Sequence, residues 1–186
     1  MEETMGALDT AVRSGKALYA GISNYNAEQT RQACRILREL GTPCLIHQPR
    51  YNLMDRWVEN GLLRVIEEEG IGCIVFSPLA QGLLTNRYLE GTPADSRIGS
   101  GSAFLKPEQL TEKKLRQSRA LNEIALARGQ SLAQFAISWI FRQPQVTTVL
   151  IGASKPQQIK ELCLSVGQSL PTEEELAQIQ KIFAEG

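Results

Sequence analysis

Four apolar runs in this 186-residue sequence are each followed at once by hydrogen-bonding side chains: Ser23 with Asn24, Gln48, Ser77, and Ser154 just after Gly152. Amides and hydroxyls both donate and accept, which suits a mouth lined to hydrogen-bond a polar ligand. The last of the four is the sharpest. In VLIGASKPQQI, Val149 to Ile159, an apolar run and a small-residue turn lead into a helix entered through Ser154, Lys155 and Pro156. Ser154 reads as the N-cap and Pro156 as a first-turn residue. Free N–H groups and the helix dipole, with Lys155 beside them, would favour an anion such as phosphate. A capped helix without any ligand is the competing reading of this stretch alone.

Other chemistries find little support. No metal-ligand cluster and no G-x-S-x-G nucleophile elbow occurs. His47, the single histidine, reads as a strand residue facing a helix layer or barrel wall. Tyr19, Tyr25, Tyr51 and Tyr88 read as packing residues, and Asp9, Asp55 and Asp95 as helix, cap and loop residues. Cys34, Cys44, Cys73 and Cys163 form no C-x-x-C pair and read as core filling in a reduced, cytoplasmic protein. Twenty basic residues balance twenty acidic ones, which gives no global charge argument for a nucleic-acid partner. No signal peptide or membrane span is evident.

Positioning polar groups at successive strand ends requires a particular order of elements. Met5, Leu8 and Val12 share a helix face that Gly15 closes; ALYAGIS is strand-like; AEQTRQACRILRELG is an amphipathic helix stopped by Gly41. The cycle repeats through CLIHQPRYN, DRWVENGLLRVIEEEG and IGCIVFSPL. A Gly-, Pro-, Ser- and Thr-rich loop from Ala80 to about Leu110 interrupts it. Two helices follow, one between Thr111 and Gly129 and one capped by Ser131, then the last strand, the helix at Pro156 and a closing helix with a Thr172–Glu175 capping box. This alternation predicts α/β architecture with a parallel sheet, in one domain spanning residues 1–186.

The stretches SGKALYAGISNY, IHQPRYNLMDRW, FSPLAQGLLTNRYLEG followed by Ser96 and Arg97, RGQSLAQFAISW and VLIGASKPQQI together resemble the aldo-keto reductases, in the branch of the bacterial L-glyceraldehyde 3-phosphate reductases and potassium-channel beta subunits. The resemblance implies the C-terminal half of a TIM (β/α)8 barrel, with about four strand–helix units plus an extra helix and a C-terminal helix. It implies NADP(H) as cofactor. Ser23, Asn24 and Gln48 would hold the nicotinamide carboxamide, and Phe76, Ser77, Pro78, Leu79, Ala80 and Gln81 would wrap the nicotinamide side and pyrophosphate. Arg87 and Arg97 would lie along the dinucleotide, Gly152, Ser154 and Gln158 would receive the 2′-phosphate and adenosine end, and Glu161 the adenine amine. Leu162 departs from the family's adenine-contacting asparagine.

Hydride transfer to a carbonyl also needs an acid for the forming alkoxide. In the family that acid is a tyrosine supported by lysine, aspartate and histidine, carried by earlier strand–helix units, and MEET resembles a stretch past them. No residue is therefore given a catalytic or metal-binding role. The expectation is a cofactor-binding part of a reductase for small aldehydes or ketones, phosphorylated aldehydes included, inactive alone. It would self-associate or take a complementary N-terminal half. A non-enzymatic NADP-binding or interaction module and a gene fragment without function are the alternatives.

Overall fold

The computed structural model describes residues 1–89, 91 and 110–184. The chain forms two compact units: Met1–Tyr51, Asp55–Phe76 and Gln143–Leu150 make up one, and Asn52–Met54, Ser77–Arg142 and Ile151–Gly186 the other.

The first unit carries the sheet. Strands β1 (Ala20–Ser23), β2 (Cys44–Gln48), β3 (Gly72–Val75) and β4 (Thr148–Val149) pair in parallel in the order β1-β2-β3-β4. Ser23 stands opposite Gln48 in the register, so two predicted rim residues finish neighbouring strands side by side. Gly21 permits this approach, because a Cβ there would lie 2.9 Å from Ile46 Cγ2. Helices α1 (Glu2–Arg13), α2 (Ala27–Leu40) and α3 (Leu62–Glu69) belong to the same unit.

Asn26 caps α2 through a reciprocal box with Gln29, and Gly41 ends it in the left-handed conformation at φ 83°. The buried stripe of α2, including Ala33, Cys34 and Leu37, packs with Met5, Ala20, Ile22 and Cys44. Burying each large apolar chain of this cluster contributes about 1.5–3 kcal/mol. Cys34 and Cys44 share a hydrogen bond that raises the first thiol's pKa and lowers the second's.

The second unit holds α4 (Glu112–Ala127), α5 (Leu132–Ile140), α6 (Pro156–Cys163) and α7 (Glu173–Ala184). Thr111 and Ser131 cap α4 and α5 as expected, and the Thr172–Glu175 box opens α7. Every side chain of α5 but Gln134 is buried, which matches its largely apolar sequence. Arg128, only 10% exposed, grips Glu175 at 2.6 Å. Burial raises the pKa of Glu175, but the contacts with Arg128 and Thr172 together outweigh it and the net shift is downward.

Several expectations are corrected. The helix expected over DRWVENGLLRVIEEEG is a short 3₁₀ turn, Trp57–Glu59, followed by α3, because Gly61 at φ 94° breaks the run. The last strand is Thr148–Val149 and not VLI, although Leu150 still donates to the Val75 carbonyl at 2.7 Å. Two short 3₁₀ turns, Ala80–Gly82 and Asn86–Tyr88, order the start of the expected loop. Tyr51 and Tyr88 pack, but Tyr19 is 69% exposed. Cys163 is exposed, unlike the three core cysteines.

Candidate cofactor-binding site

Asn24 turns the chain out of β1 with φ 54°, a left-handed conformation that asparagine tolerates better than most residues. Three bonds fasten this corner: Asn24 N–H donates to the Gln48 carbonyl at 3.3 Å, the Ser23 hydroxyl donates to the same carbonyl at 2.7 Å, and Asn24 Oδ1 accepts from Arg50 N–H at 3.0 Å. His47 pins the next residue. It is fully buried, and its Nε2 lies 3.2 Å from Tyr25 N and 3.1 Å from Tyr25 O. Burial depresses its pKa to about 4, so it is neutral at pH 7, and its Nδ1 is buried without a partner among the described residues.

Beside this corner lies a cleft of about 490 Å³ lined by Asn24, Asn26, Gln29, Arg50, Trp57 and Phe76. Of these, only Asn24 and Phe76 are among the site residues expected from sequence. Arg50 and Trp57 sit in the stretch IHQPRYNLMDRW, and a cation two residues past a strand-end amide is the signal that could have found the first of them. The Trp57 indole N–H donates to the Arg50 carbonyl at 2.9 Å, and Arg50 bridges to Phe76 across the strand ends.

In the second unit, Ser77, Ala80 and Gln81 have φ of 54°, 46° and 60°. With Asn24 they are the described non-glycine residues at positive φ, and all four are among the expected site residues. Gln81 Nε2 donates to the Ser77 hydroxyl at 3.0 Å, and Asn52 Nδ2 to the Ser77 carbonyl at 3.0 Å. Pro78 is buried, and Leu79 and Arg87 are half-buried. Arg97 lies outside the described residues.

The start of α6 differs from expectation. Ser154 is not the N-cap; Lys155 occupies that position. Gln158 Oε1 instead accepts from Ser154 N–H at 2.8 Å, Lys155 N–H at 3.1 Å and the Ser154 hydroxyl at 3.3 Å. The side chain thus sits on the donors an anion would use. Gly152 has neither a positive φ nor an atom within 4 Å of an added Cβ, so no internal contact explains the glycine. Glu161 is engaged by the Ser131 hydroxyl at 2.6 Å, and Leu162 is buried at 6% exposure, a core residue where the resemblance expects a polar contact.

Four parallel strands with strand-end amides, and helices in strand–helix alternation, define an α/β protein of the partial (β/α)8 barrel class. Its family follows from sequence and structure comparison. Residues 1–184 match the aldo/keto reductase family, and the chain belongs to it.

It is 50% identical over 190 residues to an L-glyceraldehyde 3-phosphate reductase of Escherichia coli, covering all of this chain and 55% of that protein. A probable voltage-gated potassium channel subunit beta of Oryza sativa is 38% identical over 165 residues, 87% of this chain and 50% of that one. The chain spans about half the length of these relatives. The glycerol dehydrogenase of Gluconobacter oxydans superposes with a TM-score of 0.76 at 30% identity, over 99% of this chain and 54% of that one. A thermostable aldo-keto reductase gives 0.69 at 25%, over 97% and 54%.

Among the described residues no helix is long and apolar enough to cross a membrane, and no group of His, Cys, Asp or Glu is placed to hold a metal.

Proposed function

We propose that the chain is the NADP(H)-binding part of an aldo-keto reductase acting on small aldehydes or ketones, with residues 1–186 working as one domain. The observation that carries this reading is the concentration of left-handed, non-glycine backbone at Asn24, Ser77, Ala80 and Gln81. Such conformations cost about 1–3 kcal/mol each and collect where a chain must present groups to a ligand.

The donor set suits the cofactor. Ser23, Asn24 and Gln48 would offer a hydroxyl and two amides to a carboxamide, and Phe76 lines the cleft with Asn24. Ser77 to Gln81 and Arg87 would follow the pyrophosphate, as would Arg97. Gly152, Ser154 and Gln158 would meet the 2′-phosphate, with Gln158 swinging off the α6 donors as the anion arrives. Glu161 would keep its bond to Ser131 and offer its second oxygen to the adenine amine. When bound, the reduced nicotinamide supplies hydride. The chain's own residues bind and orient it, and none of them is assigned the proton donor for the alkoxide.

Turnover is therefore proposed to need a complementary segment or a second copy, and the chain is proposed to be cytoplasmic, in keeping with its four free thiols. Titration of NADPH fluorescence should show saturable binding, weakened about tenfold by Gln48→Ala through loss of the amide contacts. No binding up to about millimolar cofactor, where association is only some 4 kcal/mol, would remove the reading.

A further inference from the structure

A second cleft, of about 270 Å³, lies within the first compact unit at the amino ends of β3 and β4, the other end of the sheet from Asn24. We infer that it is a binding site for a primary ammonium group carried on a short aliphatic stem. Its polar lining comes from Glu67 in the last turn of α3 and from Gln145 and Thr147 just before β4.

This lining is short of donors. Gln145 Nε2 donates to Glu67 Oε2 at 2.9 Å, and because a carboxylate only accepts, that bond fixes which way the amide points. The other end of the amide, Gln145 Oε1, is buried with no partner among the described residues. An acceptor taken out of water stays costly until a donor reaches it. The Thr147 hydroxyl oxygen already accepts from Cys73 N–H at 3.1 Å.

The cleft is also short of positive charge. Helix α3 ends in Glu67, Glu68 and Glu69, where the helix dipole favours cations, and no basic residue stands in its last turn. Glu68 is paired with Arg31 at 2.5 Å and Arg64 at 2.8 Å, and Glu69 with Arg38 at 2.7 Å. Glu67 has only the neutral amide of Gln145 among the described residues. None of the residues lining the cleft is basic.

An ammonium brings what is lacking, one positive charge and three donors. A hard metal ion would want more oxygens than one carboxylate and one amide provide. A guanidinium gains most from two free carboxylate oxygens, and Oε2 of Glu67 is already engaged. Ile66, Ile71 and Pro144 give the cleft an apolar wall suited to methylene groups. The ammonium could belong to a free alkylamine or to a lysine side chain of another protein; the two share this chemistry.

The whole chain, isotope-labelled, is titrated with butylammonium, butanol or Nα-acetyl-lysine methylamide at constant ionic strength, and amide resonances of Ile71, Gln145, Thr147 and Asn24 are followed. Butylammonium should shift the first three saturably at about millimolar concentration and leave Asn24 in place, with butanol at least about tenfold weaker. Glu67→Gln should weaken butylammonium about tenfold, while Glu68→Gln, which removes a carboxylate already paired, should stay within about twofold. Tighter binding of the lysine derivative than of butylammonium assigns the ammonium to a protein side chain, and equal or weaker binding assigns it to a free amine.

Equal affinity for butanol and butylammonium, shifts that do not saturate, or equal losses in Glu67→Gln and Glu68→Gln overturn the inference, the last by reducing it to general surface charge. Gln145→Met keeps the carboxylate and removes the orphaned acceptor, so it should also weaken butylammonium, by about threefold. It repeats the test if Glu67→Gln folds poorly, and an unchanged affinity there overturns the inference too. NADPH binding does not enter this test, which therefore stands or falls apart from the function proposed above.

Discussion

The corner at Asn24 and the start of α6 both read from the sequence as parts of one ligand-holding apparatus, yet they are built on opposite principles. At Asn24 the backbone is left-handed, and bonds from Ser23, Gln48, Arg50 and, through Tyr25, His47 fasten it. The geometry is set in advance of any ligand. At α6 the backbone is regular, and the helix satisfies its own first donors by folding Gln158 back onto Ser154 and Lys155. A ligand arriving there must displace a side chain. Rigid presentation and self-satisfaction are two answers to the same problem, namely polar groups left over at the end of an element.

The largest expected effect separates the two through His47. Its pKa is about 4 in the folded chain against 6.5 for the free side chain. As pH falls below the higher value the unfolded chain takes up a proton that the folded one refuses, so stability drops between those limits and levels off below the lower one. The full loss is on the order of 3 kcal/mol. Denaturation midpoints measured against pH should show this fall in the wild type, and His47→Leu should lack that component. Equal slopes would mean that His47 is not held buried and neutral behind the corner.

Gln158→Ala comes next. Removing the side chain that satisfies the α6 donors should cost about 1 kcal/mol, as other cap losses do, with the corner at Asn24 unaffected. Urea denaturation reads the first, and the pH dependence that reports His47 reads the second. The smallest effect has an inverted sign. Ala→Gly ordinarily destabilises, but at Ala80, with φ 46°, it should be neutral or raise stability by about 0.5–1 kcal/mol by relieving the left-handed strain. A loss of that size would show that the backbone there is not strained.

Much of the fold is legible in the sequence. Strand and helix order follows from apolar period and glycine stops, since Gly41 and Gly129 do sit at positive φ just past helix ends. Ser23, Asn24 and Gln48 can be placed at strand ends because each follows an apolar run at once. The error at Ser154 has a physical cause. A serine before Lys-Pro fits the capping pattern, but a glutamine four residues later reaches the same donors with a longer arm, and local pattern cannot rank the two. Arg50 and Trp57 escape a reading by spacing because nothing in their separation marks a cleft; the chain between them has to bend before the indole meets the Arg50 carbonyl.

Local chemistry, written in the order of residues, determined which segments become strands and helices, where they stop, and which polar types stand at their ends, because those choices depend on neighbours within a few positions. Tertiary structure alone decided that Asn24, Ser77, Ala80 and Gln81 take left-handed backbone, that His47 is stripped of water, and that Arg50, Asp55, Trp57 and Phe76 share a wall. Strain, burial and convergence arise from contacts between distant parts of the chain, and such contacts can hold a residue in a conformation its own preference would refuse.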